Sequence, residues 1–249
     1  MAKKPAKSDR QAVVDQIRKQ QRNADKRRGF MIVGVCTVIA LLIVGAAAFR
    51  PIKDWWDVRQ FNDTDLASIG SAASVCQKVT TKKATGQQQH VPIGTPIQYA
   101  DAPPAFGEHF DTPAPMDRKL YTADDRPELG TLVHNLEHGY TILWYDETIA
   151  DDDAAMNELR GIASKLSGTS NLRTKFKAVP WTSEDEGGKK FPKGQHVAFT
   201  HWSVGGAGQA SNADNQVGVW QYCSDVSGEA LSDFMLEYPY TDSPEPNAA

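Results

Sequence analysis

One uninterrupted apolar segment dominates the hydropathy pattern near the N-terminus of this 249-residue chain. Residues 30–49 read FMIVGVCTVIALLIVGAAAF and contain no charged side chain. At about 1.5 Å per helical residue, a segment of this length matches a hydrocarbon core of about 30 Å. The segment therefore predicts a single transmembrane helix, with the lipid bilayer as its partner. A cleaved signal peptide is the alternative, because Ala46–Ala48 would suit a signal peptidase, although signal-peptide apolar regions usually span only about 7–15 residues.

Regular patterns of apolar residues return in the second half of the chain. Three runs rich in β-branched and aromatic residues predict strands, the last two of which could pair as a hairpin: 139–145, 176–181 and 195–202. Two segments with apolar residues at helical spacing predict helices: 151–167 and 228–238. Residues 76–130 are rich in proline and predict irregular connections with short strands. This order of elements predicts an α+β fold, a mixed α/β domain with a proline-rich loop.

Charge is divided sharply by the apolar segment. Residues 1–29 carry a net charge of +7, whereas residues 50–249 carry −11. Positive charge beside a span stays in the cytoplasm, so the N-terminus is predicted inside and the acidic domain outside the cell membrane. An acidic domain also argues against nucleic-acid binding. The predicted organisation is a basic cytoplasmic tail (1–29), a transmembrane helix (30–49), a juxtamembrane linker (50–75), an extracytoplasmic domain (76–240) and a flexible tail (241–249).

Residues that favour the membrane interface follow the apolar segment. Arginine extends its charged end towards water and tryptophan prefers the headgroup region, so Arg50, Trp55 and Trp56 predict an anchor belt at the outer surface.

The three cysteines separate into two environments. Cys36 lies in the apolar segment, whereas Cys76 and Cys223 lie in the predicted outer domain, where disulfides form and persist. These two cysteines are expected to pair with each other, and free thiols or intermolecular pairing are the alternatives. The chain has no C-x-x-C motif, so a thioredoxin-type redox function lacks its nucleophile pair.

The densest group of candidate metal ligands is the HNLEH segment, residues 134–138. If this segment is one helical turn, His134 and His138 share a face, and Glu137 could reach the same ion. With His90 or His109, these side chains predict a metal site whose imidazoles favour zinc or copper(II). His196 and His201 are five residues apart on a predicted strand, so they face opposite sides and at most one lies near any site.

Two other interpretations of the histidines stay open. The order H-x-x-E-H is also the inverted zincin motif, in which Glu137 would act as the general base. However, a zincin helix continues for several turns, and here Gly139 and a predicted strand follow at once. Alternatively, the imidazoles stabilise the fold by binding backbone groups around the proline-rich loop.

These interpretations give three functional hypotheses. The favoured one is a non-enzymatic metal-binding or accessory module. The second is a scaffold or interaction subunit of a membrane assembly, with a membrane-protein partner and structural histidines. The third is a zinc-dependent hydrolase that uses the HNLEH segment. The pattern assigns no catalytic residue and defines no small-molecule substrate.

Several quoted segments together resemble a known bacterial family. They are LVHNLEHGY at residues 132–140, the pairs Trp144-Tyr145 and His90-Val91, Tyr99, and the loop Pro103-Pro104…Gly107…His109. Over about residues 75–225 the chain is similar to membrane-anchored proteins catalogued as domain of unknown function 3105. Ala105 and Phe106 replace the family's usual Thr-Ser pair, which leaves His109 in place. The resemblance implies an extracytoplasmic domain with matching His90, His109, His134, His138 and Glu137, and it implies no established activity.

Overall fold

The computed structural model describes residues 6–85, 88–209 and 213–248, and the chain divides into two compact units, residues 1–56 and 57–249. The helix α1, Ala6–Arg59, runs through the first unit. Its stretch Gln11–Phe49 is long and apolar enough to cross a membrane or to act as a signal. The side chains of Arg50 and Trp55, which we expect in the anchor belt, lie outside the described residues. Trp56 is exposed.

The second unit contains a five-stranded mixed sheet. Its strands are β1 (Thr80–Lys83), β4 (Thr141–Tyr145), β5 (Phe176–Pro180), β6 (Val197–Ser203) and β7 (Val217–Cys223). The order in the sheet is β1-β7-β6-β4-β5, in which only β4 and β5 are parallel. A separate parallel pair consists of β2 (His90–Val91) and β3 (His109–Phe110). The helices are α2 (Leu129–Glu137), α3 (Glu147–Ala150), α4 (Asp153–Lys165) and α5 (Gly228–Glu237). The α+β class is confirmed.

Both faces of the sheet are covered. On β4, Leu143 and Tyr145 pack into one apolar cluster with residues of α4 and α5. Ile142 and Trp144 point the other way, into a second cluster that includes residues of α2 and of the proline-rich loops. Because side chains alternate between faces, a strand buried on both sides has a continuous apolar sequence, as β4 has. The second face carries the candidate site.

The predicted hairpin between residues 176–181 and 195–202 is wrong. Both segments form strands, but β4 lies between them and pairs with β5 on one side and β6 on the other. The α3–α4 segment connects β4 to β5, which allows these two strands to run parallel.

The predicted linker and tail have more structure than their composition indicates. Within the linker, Ile69 is buried in the first apolar cluster and Gly70 forms a bridge with Ser227. Within the tail, Asp242 and Ser243 are buried. Contacts within the second unit therefore hold these parts of the linker and the tail in place.

A disulfide joins the beginning of this unit to its sheet. Cys76 is bonded to Cys223 at the end of β7, and the two residues are 147 positions apart in the sequence. Cys36, in the apolar helix, is a free thiol. The disulfide closes a covalent loop that contains all five strands of the sheet and the whole proline-rich region.

Candidate metal centre

Helix α2 presents the HNLEH segment towards the interior. Leu132, Val133 and Leu136 are fully buried against the sheet, and this packing fixes the rotation of the helix. His134 and His138 are one turn apart, so their rings meet with centroids 4.4 Å apart. Their Nε2 atoms are 2.9 Å apart. The expected convergence of these two imidazoles is confirmed.

The strand pair β2–β3 brings two more histidines to the same place. His90 and His109 are partners in the parallel register, and their ring centroids are 4.6 Å apart. The ring of His134 lies 4.8 Å from that of His90 and 5.0 Å from that of His109. Three separate stretches of chain therefore place four imidazoles in one cluster. His90 is 40% exposed at its side chain, whereas His109 is completely buried.

Glu137 is the carboxylate of this cluster, and its side chain is completely buried. One of its oxygens lies 2.9 Å from Nε2 of His109 and 3.5 Å from Nε2 of His90. Its other oxygen accepts a hydrogen bond of 3.0 Å from the amide of Gln88. A buried carboxylate needs such compensation, because removing it from water is costly.

Backbone carbonyls set the proton positions on two of the rings. Nδ1 of His109 lies 2.8 Å from the carbonyl oxygen of Gly107, and Nδ1 of His134 lies 2.5 Å from that of Phe110. A carbonyl oxygen only accepts hydrogen bonds, so each Nδ1 carries the hydrogen. In the neutral ring, Nε2 then has a lone pair directed into the cluster. Metal-binding histidines characteristically donate their other N–H to a carbonyl or carboxylate in this way.

The contact between His109 and Glu137 needs a hydrogen or a metal ion. Nε2 of His109 lies 2.9 Å from a carboxylate oxygen of Glu137, and its Nδ1 hydrogen is already directed at Gly107. Two acceptors at this distance repel each other unless a proton or a metal ion lies between or beside them.

The separations between facing atoms match those of ligands that share one ion. With bonds of about 2.05 Å, two ligand atoms are about 2.9 Å apart at a right angle and about 3.5 Å apart at 120°. Three separations in the cluster have such values. The Nε2 atoms of His134 and His138 are 2.9 Å apart, and one oxygen of Glu137 lies 2.9 Å from Nε2 of His109 and 3.5 Å from Nε2 of His90. Two overlapping groups, His90–His109–His134 and His134–Glu137–His138, each have ligand atoms within 4.8 Å of one another. These buried clusters could hold a metal.

The electrostatics favour the protonation states that ligands need. Burial alone would raise the pKa of Glu137, but the hydrogen bond and charge of His109 and the hydrogen bond of Gln88 lower it below its usual range. Burial lowers the pKa of His134 below its usual value, although the hydrogen bond with the carbonyl oxygen of Phe110 opposes this. At neutral pH, Glu137 is therefore anionic and His134 is neutral, as metal binding requires.

The remaining two histidines lie elsewhere. His196 pairs with Asp146, with Nδ1 2.9 Å from the carboxylate. His201 is buried between the carbonyl oxygens of Tyr140 and Asp242, and burial lowers its pKa.

Sequence reasoning missed two residues beside the cluster, Gln88 and Glu245. A carboxylate oxygen of Glu245 lies 3.6 Å from Nε2 of His138.

Gly139 ends the helix that carries the cluster, and its substitution by alanine should destabilise this unit. Its φ of +86° strains any other residue, and an added Cβ would lie 2.2 Å from the carbonyl oxygen of Tyr240. We expect Gly139→Ala to lower the free energy of unfolding by about 3 kcal/mol. Chemical denaturation followed by near-ultraviolet circular dichroism measures this change.

Gly94→Ala is the matched control for this substitution. Gly94 has a similar φ of +83°, but an added Cβ there meets no atom within 4 Å. Its cost should be only about 1 kcal/mol, from backbone strain alone. Equal losses for the two variants would contradict the close approach of Tyr240 to the helix end.

Fold and site together define a mixed α+β domain that follows an apolar N-terminal helix and contains buried histidine–glutamate clusters that could bind a metal. The chain belongs to the family described as "Protein of unknown function (DUF3105)", whose model matches residues 90–249. No curated protein and no solved structure matches the chain. The family match begins at His90 and, unlike the extent expected from the motifs, includes the C-terminal segment with Glu245.

Proposed function

We propose that this protein binds one divalent transition-metal ion, zinc or copper(II), through His90, His109, His134, His138 and Glu137. The observation that carries the proposal is the pair of backbone carbonyls that turn Nε2 of His109 and His134 towards the same buried cluster. The fold itself fixes these two rings through the backbone, so little reorganisation should accompany metal binding. Imidazole and carboxylate ligands suit zinc and copper(II), whereas copper(I) prefers sulfur.

The proposed location is the outer face of the cell membrane. The basic residues that precede the apolar helix favour a cytoplasmic N-terminus, and the helix itself would serve as the anchor in the bilayer. The disulfide between Cys76 and Cys223 supports an oxidising compartment for the second unit.

The donor set favours metal handling over hydrolysis. A catalytic zinc site keeps one coordination position open, with typically three protein ligands. Here two overlapping groups offer five ligand side chains, and Glu137 is one of these ligands, with its other oxygen bound to Gln88, instead of being free to activate water. We therefore infer an accessory role, in which the protein holds or delivers a metal ion at the membrane.

The test is a metal analysis of the full chain, purified in detergent without a polyhistidine tag. Cys36→Ser should be present throughout, so that the free thiol in the apolar helix provides no ligand. After equilibration with zinc or copper(II) and dialysis, we expect close to one equivalent of bound metal per chain, measured by elemental analysis. A folded protein that retains far less than one equivalent of either metal would overturn the proposal.

A further inference from the structure

The last described residues form a strap, residues 239–248, that is fixed to the domain beside the metal centre. The buried ammonium group of Lys175 donates hydrogen bonds to the carbonyl oxygens of Pro246 and Ala248, at 2.9 and 2.6 Å. The same group donates to the carbonyl oxygen of His138 at 2.7 Å. One lysine therefore connects the end of the strap directly to the HNLEH segment.

A buried aspartate holds the beginning of the strap. The carboxylate of Asp242 accepts hydrogen bonds from the backbone N–H groups of Val204 and Gly206, at 3.0 and 2.8 Å. It also accepts one from the hydroxyl of Ser203 at 2.7 Å. Because hydrogen bonds to a carboxylate are stronger than those between neutral groups, this end of the strap is also fixed.

Between these two anchors, the strap places Glu245 at the metal centre. Its backbone N–H donates to the carbonyl oxygen of Glu137 at 2.9 Å. Its carboxylate lies 3.6 Å from Nε2 of His138, and the side chain is 46% exposed. The backbone of Glu245 is thus held against the cluster while its carboxylate faces both His138 and solvent.

With Glu137 as its only carboxylate, the proposed centre would have an uncompensated positive charge that a second carboxylate could neutralise. A divalent ion held by neutral imidazoles and by Glu137 alone has a net charge of +1 in a largely buried place. Buried net charge is costly unless it is paired. Glu245 has the opposite charge and meets solvent, so it can attract a hydrated cation and compensate for this excess.

We propose that Glu245 is the entry carboxylate of the metal centre, which captures the incoming divalent cation together with His138. This inference rests on the proposed function. It assigns as the entrance the place where Glu245 meets solvent beside the buried ring of His138, and the strap as the element that positions the capturing group. Without Glu245, the ion should still bind to the deeper ligands, but its association rate should be lower.

The test measures the rate of copper(II) binding to the full chain with Cys36→Ser. Trp202 lies against His109, with ring centroids 6.0 Å apart, so quenching of tryptophan fluorescence by bound copper(II) reports occupancy. In stopped-flow mixing at low salt, Glu245→Gln should lower the association rate about tenfold, and the difference should shrink at high salt. Glu245→Asp keeps the charge and should retain most of the rate.

Glu184→Gln is the matched control, because Glu184 is an exposed glutamate on another segment and its substitution changes the net charge equally. Its association rate should equal that of the parent chain. If the parent binds copper(II) but Glu245→Gln binds it equally fast, the entry role fails and the proposed function survives. If the parent binds no copper(II) or zinc, both fail. Circular dichroism establishes that each variant is folded.

Discussion

Replacing His134 by alanine should lower the affinity of the protein for zinc or copper(II) by at least about 100-fold. His134 belongs to both overlapping groups of ligand atoms, so its removal breaks each of them. Changing only an outer-shell partner of a metal ligand typically costs about 10–100-fold, and loss of a ligand should cost more. Competition with a chelator of known affinity measures the difference. The substitution should leave the fold intact, since His134 lies on a helix that apolar residues hold in place.

His196→Ala is the control for this prediction. His196 is another histidine with a hydrogen-bond partner, Asp146, but it belongs to neither group of candidate ligands. Its substitution should leave the metal affinity unchanged. If the two variants lost affinity equally, the bound metal would not be in the cluster around His134.

Replacing both Cys76 and Cys223 by alanine should lower the free energy of unfolding by about 5 kcal/mol. The disulfide joins residues 147 positions apart, and the stabilisation from cross-linking an unfolded chain increases with the length of the closed loop. Chemical denaturation of the second unit measures the loss. A reductant should destabilise the parent chain by a similar amount and should leave the double variant unaffected.

Cys36→Ala is the control that separates the effect of losing a cysteine side chain from the effect of losing the disulfide. Cys36 is a free thiol and closes no loop, so its substitution should not change the stability of the second unit. Equal unfolding free energies for the parent and the double cysteine variant would show that the closed loop contributes nothing.

Local sequence patterns predicted several individual strands and helices, but they did not predict which strands pair with each other in the sheet. The β-branched and aromatic residues of β4, β5 and β6 indicated strands, because such side chains favour the extended backbone. Nothing in those runs specifies that β4 lies between the other two, since strand pairing depends on contacts distant in sequence. Strand β7 was not predicted, and Gly218 and Gln221 interrupt its pattern. Every residue of the edge strand β1 is exposed, so it has no apolar pattern.

The candidate site was predicted as far as side-chain chemistry could reveal it. Imidazoles and a carboxylate at helical spacing indicated the HNLEH segment, and the structure brings His90 and His109 to it. Glu245 could not be found in this way, because it lies in a polar tail without periodicity. Its position depends on two buried charged residues, Lys175 and Asp242, whose partners are almost all backbone groups.

The disulfide also determines how the second unit would respond to mechanical load. All four cluster histidines lie within the stretch between Cys76 and Cys223. If the chain is pulled at the segment before Cys76 and at the segment after Cys223, the tension passes through the sulfur–sulfur bond and bypasses the backbone between the two cysteines. Such a pull would therefore extend the chain without stretching the backbone that carries those imidazoles.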